Sequence, residues 1–130
     1  LNPIFLKRGA VYIIKYSADD PLKKGEDIPK YVINLQEGEV VDKANSFVFL
    51  FITTDAEKLK KIYKWDVLLS PEESHTKAGA KVGCDRVYTG FKKNIIEFAY
   101  ELNHSTMVEI DEKLYFTLCI GGRKIEDSYF

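Results

Sequence analysis

Histidine, cysteine, methionine and tryptophan are all scarce in this chain: two, two, one and one among 130 residues. Two histidines, His75 and His104, exclude a histidine-rich metal centre. The two cysteines, Cys84 and Cys119, form no CxxC pair and are too few for a disulfide scaffold. Both sit inside apolar patterns, so buried free thiols in a reducing cytoplasm are expected. No apolar run approaches the ~18–20 residues of a membrane span, and the longest, residues 47–52, has the length of a strand. No secretory signal is visible after Leu1. Charge of one sign is lacking too: 19 Lys and Arg against 20 Asp and Glu give a net charge of −1. That disfavours a broadly basic, non-specific nucleic-acid binder and leaves room for a local basic groove. There is no P-loop, GxGxxG, HExxH or GxSxG motif.

What is present is aromatic and apolar. Eight Tyr and eight Phe bring the aromatic share to 13%, and the hydrophobic share is 45%. That suffices for one folded core, and residues 1–130 read as a single domain. Period-two alternation dominates. Residues 11–16 read as a first strand. Residues 17–29 carry Asp19, Asp20, Pro21, Gly25, Asp27 and Pro29, the composition of a loop long enough to suggest a role. A second strand covers 31–35. Residues 36–45, polar and containing Gly38, read as a turn with room for a short hairpin segment. Residues 46–54 form the most apolar strand, expected to be buried on both faces.

Thr54 or Asp55 caps one helical turn in the lysine-rich stretch that runs to Lys64. Residues 65–69 are strand-like, and 70–79, with Pro71, read as a loop. Residues 81–84 and 86–89 read as one further strand. Ile96, Phe98, Tyr100 and Leu102 alternate with Glu97, Ala99 and Glu101, a half-exposed strand. The last segment is two-sided. Leu114, Phe116, Leu118 and Ile120 suit a strand, whereas Met107, Ile110, Leu114 and Leu118 suit one helix face. Thr106-x-x-Glu109 has the form of a capping box and Gly121-Gly122 that of a helix stop, which favours a helix over 106–120. Six or seven short strands and a terminal helix give a mainly β (α+β) fold, a small, strongly twisted barrel with a C-terminal helix packed on it.

Polar residues cluster at the expected strand ends. Thr53 and Thr54 close the most buried strand, Asp85-Arg86 interrupts an apolar run, Lys30 starts the second strand and Arg8 precedes the first. Strand ends of a small barrel converge on one rim. A cation, a hydroxyl and a carboxylate gathered there can handle a phosphodiester. The cation offsets charge on the phosphorane, the hydroxyl binds a non-bridging oxygen, and the carboxylate deprotonates a 2′-hydroxyl. Each residue also has a plain structural reading. Thr53-Thr54 suits any β-strand. Asp85 can pair with Arg86, and Lys30 and Arg8 can be solvated charges. The lysines at 58, 60, 61 and 64 either follow a phosphate backbone or form a solvated face. Tyr63 or Trp65 either stacks a base or packs in a core or dimer contact. His75, in a polar loop with Lys77, is of the residue type that suits acid–base work, or is a surface residue. His104, just before the helix, reads as structural.

In sequence order these segments resemble the MazF/PemK toxin family. Lys7-Arg8-Gly9-Ala10-Val11-Tyr12 is similar to the family's Arg-Gly-Asp/Glu-Val-Tyr/Trp start. Lys30-Tyr31-Val32-Ile33-Asn34-Leu35 is similar to its Arg-Pro-Val-Val-Val-Leu strand. Phe51-Ile52-Thr53-Thr54 resembles its Pro-Ile/Cys-Thr-Thr/Ser segment. Val82-Gly83-Cys84-Asp85-Arg86-Val87-Tyr88-Thr89 resembles Val-Arg-Cys-Asp-Gln-Ile-Tyr-Thr. Asn94-Ile95-Ile96 and the segment from Thr106 to Ile120 resemble its closing strand and helix. The resemblance covers nearly the whole chain and turns the terminal segment toward helix.

The resemblance implies an SH3-like, PemK-type barrel that forms a homodimer. It implies a cytoplasmic toxin of a toxin–antitoxin pair, a sequence-selective endonuclease for single-stranded RNA, mRNA included. Cleavage would leave a 2′,3′-cyclic phosphate and need no metal or other cofactor, and a cognate antitoxin protein would cover the RNA groove. No membrane partner is expected. Carried over by position, Thr53 falls on the catalytic or phosphate-contacting threonine and Asp85 on a carboxylate of the PemK branch. The candidate catalytic set is Thr53, Lys30, Asp85 and His75, and the candidate RNA contacts are Arg8, Thr54, Arg86 and Lys77. Lys30 and Gly83 stand where the family has arginines, and no proline follows Lys30. An alternative therefore stays open: a catalytically inactive barrel that binds a peptide or RNA as a regulatory module.

Overall fold

A computed structural model describes residues 6–16 and 28–118. Among these residues are seven strands, all paired antiparallel, and a C-terminal helix, divided between two compact units. The first comprises residues 1–51 and 88–101, the second residues 52–87 and 102–130.

The first unit is built on β1 (Ala10–Tyr16), β2 (Ile28–Asn34), most of β3 (Ser46–Thr53), β6 (Tyr88–Phe91) and β7 (Ile95–Glu101). β1 lies between β2 and β7, while β3 pairs with β2 and with β6. Leu6, Ala10, Tyr12, Ile14, Val32, Val41, Phe47 and Phe49 form its buried core. β3 buries Phe47 and Phe49 on one face and Leu50 and Ile52 on the other, so the buried side changes face midway along the strand and each face is covered over half its length. Asn34 is fully buried, and its amide is satisfied: Nδ2 donates to Lys7 O (2.8 Å) and Gln36 O (2.6 Å), and Oδ1 accepts from Gln36 N (3.1 Å). On β7 the expected inward set divides, because Ile96 and Phe98 are exposed. Among the described residues β7 ends its ladder, with β1 as its one neighbour.

The 36–45 segment is not a hairpin. It contains a short helix, α1 (Glu39–Lys43), entered through Gly38 at φ 98°. Val41 is its buried residue, and the Lys92 ammonium donates to Asp42 O, at the helix end, and to Val41 O, which also accepts from Ala44 N. Sequence pattern alone does not show a cation arriving from fifty residues away.

The second unit holds β4 (Asp66–Leu69), β5 (Ala80–Gly83) and the end of β3, with β5 in the middle. The expected helical turn is α2 (Ala56–Leu59). Asp55 is its N-cap and accepts from Glu57 N at 2.9 Å. The 70–79 loop contains a further turn of helix, α3 (Pro71–Ser74), capped by Ser70 with Pro71 in the first turn. The 81–89 stretch is two strands rather than one: β5 ends at Gly83 and β6 begins at Tyr88. The break falls at Cys84-Asp85-Arg86-Val87, where Asp85 and Arg86 are exposed.

α4 (His104–Leu118) is the C-terminal helix and packs on β4 through a face that buries Thr106, Met107, Ile110 and Leu114. Leu118 is exposed instead of completing that face. Thr106 is not the cap, since the helix starts two residues earlier. Its hydroxyl donates to Glu73 Oε1 (2.8 Å), while Glu73 Oε2 accepts from Asn103 N (2.8 Å). A carboxylate from α3 thus takes the place of the local capping box and favours the positive end of the helix dipole. The 17–27 part of the expected loop, Cys119 and Gly121-Gly122 lie outside the described residues.

Candidate functional site

An open cavity of about 690 Å³ in the second unit is lined by Thr53, Glu57, Lys58, Lys61, Tyr63, Trp65, Asp66, Lys81, Gly83 and Asp85. Strand register explains its wall. Thr53 is the Cα partner of Lys81, and Gly83 the partner of Asp66. Directly paired residues share a sheet face, and so do residues two apart. Thr53, Lys81, Gly83 and Asp66 therefore share the face that borders the cavity.

The polar heart of this wall is an ion pair. Lys81 Nζ donates to Asp66 Oδ2 at 3.2 Å and to Lys61 O at 2.8 Å. The two side chains are 10% and 3% exposed, so the pair is buried at the rim of an open cavity. Asp66 Oδ2 also accepts from Tyr63 N at 2.9 Å, which ties the 61–63 segment to the strand end. Tyr63 and Trp65 stack with ring centroids 4.8 Å apart and planes 4° from parallel. The ammonium groups of Lys61 and Lys81 lie 5.2 and 5.4 Å from the Tyr63 ring centre. The cavity thus brings together a hydroxyl, carboxylates, cations and a flat aromatic stack.

Of the candidates read from sequence, Thr53 and Asp85 meet on this cavity. Asp85 keeps the neighbour expected of it, with Arg86 Nε 3.3 Å from its Oδ2. Thr54 is exposed just beyond the end of β3. Lys58 and Lys61 line the cavity, whereas Lys60 pairs with Glu57 at 2.9 Å and Lys64 lies over the Phe116 ring. His75 ends α3 in a left-handed conformation, φ 58°, and is exposed, as is Lys77. His104 is the first residue of α4. Lys30 and Arg8 belong to the first unit. Lys30 is exposed on β2 opposite Ile14, and Arg8 Nε donates to Leu35 O at 3.1 Å.

Sequence reading missed Lys81 and Asp66. The signal was present: Asp66 interrupts Trp65-Val67-Leu68-Leu69, and Lys81 sits between Ala80 and Val82. A charge inside an apolar strand needs a partner. Only the ladder shows that each is the other's. Cys84, beside the site, is a buried free thiol whose pKa burial pushes up to about 12, with the Asp66 carboxylate adding to the rise. Among the described residues no group of three or more His, Cys, Asp and Glu side chains converges as a metal site, and no helix is long and apolar enough to cross a membrane.

No protein-family model matches the chain, and neither does any curated protein. Solved structures do. A MazE–MazF complex from Deinococcus radiodurans superposes with a TM-score of 0.71 at 14% identity, covering 91% of this chain and all of the other. An endoribonuclease with its cognate antitoxin from a mycobacterial species gives 0.67 at 19% identity, over 89% and 97% of the two chains. A MazF toxin of Mycobacterium tuberculosis gives 0.65 at 14% identity, over 85% and 96%. The fold is MazF-like. The barrel class and terminal helix expected from the residue pattern are thereby established, at sequence identities too low to carry site chemistry by alignment.

Proposed function

We propose that this protein is an RNA endonuclease and the toxin of a toxin–antitoxin pair. The observation that carries this reading is the meeting of Thr53 and Asp85 on one open cavity, beside the lysine cations and the Tyr63–Trp65 stack. The MazF-like fold supports it, and two of the similar structures hold an antitoxin or MazE partner.

The substrate is single-stranded RNA, whose unstacked bases suit an aromatic platform. The Thr53 hydroxyl donates to a non-bridging oxygen of the scissile phosphate. Asp85 takes the proton of the adjacent 2′-hydroxyl, whose oxygen attacks phosphorus. The bond from phosphorus to the 5′ oxygen breaks, leaving a 2′,3′-cyclic phosphate, and the 5′ oxygen takes a proton from water. The nucleophile belongs to the substrate, so the step needs no metal-activated water. Base selection on the aromatic stack gives sequence preference. Lys30, Arg8, Thr54, Arg86 and Lys77 are proposed as contacts to RNA, and the working form is a cytoplasmic homodimer inhibited by its antitoxin.

The test is incubation of the full chain with a panel of single-stranded RNAs, with and without EDTA. Cleavage to cyclic-phosphate ends, undiminished by EDTA and at least about 100-fold slower in Thr53→Ala, is expected. Intact RNA across the panel overturns the reading. Gly83, where the resemblance places an arginine, favours the second reading, a non-catalytic RNA- or peptide-binding module. Expression with and without the neighbouring gene separates the two, because only the toxin arrests growth that a small co-expressed neighbour restores.

A further inference from the structure

Lys81 alternates with the buried Ala80 and Val82 on β5, so its side chain leaves the other face of the strand, where it is itself largely buried and borders the cavity that also holds Thr53 and Asp85. Buried ion pairs of this kind rarely add stability over well-packed apolar residues, because both charges give up their hydration. The pair at Lys81 and Asp66 therefore calls for a use. Its surroundings supply one. Lys81 stands directly across the ladder from Thr53, so the two side chains leave the same sheet face from adjacent strands. Two of its three N–H groups are engaged, by Asp66 Oδ2 and Lys61 O, and the ammonium is thereby fixed in place. The ammonium also lies 5.4 Å from the Tyr63 ring centre, on the wall of the open cavity.

We propose that Lys81 is a further catalytic residue, the cation that binds the scissile phosphate of the RNA next to Thr53. This rests on the nuclease reading above. During attack by the 2′-hydroxyl, the phosphate passes from one negative charge toward two. A fixed ammonium at a partly dry wall responds to that increase far more strongly than a solvated lysine does. Asp66 acts through Lys81 as a positioning residue. It holds the ammonium and, through the Tyr63 amide, the edge of the aromatic stack.

The test uses the full chain and three variants, Lys81→Met, Lys81→Arg and Asp66→Asn. Two measurements are made: steady-state cleavage of an RNA that the wild type cuts, and binding of the same RNA carrying a 2′-deoxy sugar at the cut site. Circular dichroism reports the fold. Lys81→Met is expected to lower kcat by about 100-fold or more and to weaken binding of the uncleavable RNA by less than about 10-fold. Lys81→Arg keeps the charge and recovers part of the rate. Asp66→Asn lowers kcat with a smaller effect. If Lys81→Met does not fold, the Lys81→Arg and Asp66→Asn results decide, and wild-type rates in both overturn the proposal. Folded Lys81→Met that cleaves within about threefold of a cleaving wild type overturns it while the nuclease reading stands. A wild type that cuts no RNA removes the reading itself.

Discussion

Thr53 and Lys81 stand opposite each other at the outer end of the β3–β5 ladder, and both face the cavity that Asp85 and Asp66 complete. This relationship couples stability to the proposed chemistry at one place. Lys81 cannot be changed without affecting the buried Asp66 carboxylate, and Asp66 cannot be changed without freeing the Lys81 ammonium. The variants that follow from this separate the two effects.

Lys81→Met alone leaves Asp66 buried without its counter-ion and is expected to destabilise the protein by about 3–5 kcal/mol. Adding Asp66→Asn removes the stranded charge while keeping an acceptor for the Tyr63 amide. Urea unfolding of the double variant is expected to recover most of the lost stability, and RNA cleavage is not expected to return with it. Additive losses in the double variant would show that the pair is not coupled as the distances indicate.

Cys84 provides a pH dependence. Its thiol is held protonated to about pH 12 in the folded chain, against an ordinary value of 9.0. Between those values the unfolded chain loses this proton and the folded chain keeps it. Folded molecules then bind more protons, and stability falls as pH rises above about 9. Cys84→Ser is expected to flatten this part of the unfolding-against-pH curve. Near neutral pH the folded chain is expected to leave Cys84 unreacted with iodoacetamide, and labelling at that site should appear only on unfolding.

His75 is the non-glycine residue with a positive φ among the described residues, and it closes α3 in the left-handed region. A side chain there costs roughly 1 kcal/mol relative to glycine. His75→Gly is therefore expected to fold with equal or slightly greater stability, and, with Asp85 as base, to retain the wild-type cleavage rate. A large loss of rate with an unchanged melting temperature would transfer the proton-handling role to His75.

Local chemistry made much of this molecule legible. Alternating apolar residues mark β7 because a strand sends successive side chains to opposite faces, and short apolar runs of strand length mark β1 and β3. Asp55 marks the start of α2 because its carboxylate meets an amide two residues on. Met107, Ile110 and Leu114 mark α4 because they recur on one helical face. What remained hidden depends on partners distant in the chain. α1 looks like a turn until Lys92 reaches its carbonyls, and α4 looks locally capped until Glu73 arrives from α3.

The candidate site divides in the same way. Thr53 and Asp85 stand out by residue type and by the family resemblance, although a threonine also suits any strand and an aspartate beside an arginine also reads as an ion pair. Lys81 and Asp66 do not, because a charge within a strand reads as an irregularity until its counter-ion is known. Neighbours a few positions away mark most of the strands and the turn at α2, which are legible along the chain, whereas α1 and α3 read there as a turn and a loop. Only the tertiary structure decided which charges meet, because antiparallel pairing brings together residues fifteen or more positions apart, and no spacing along the chain encodes that meeting.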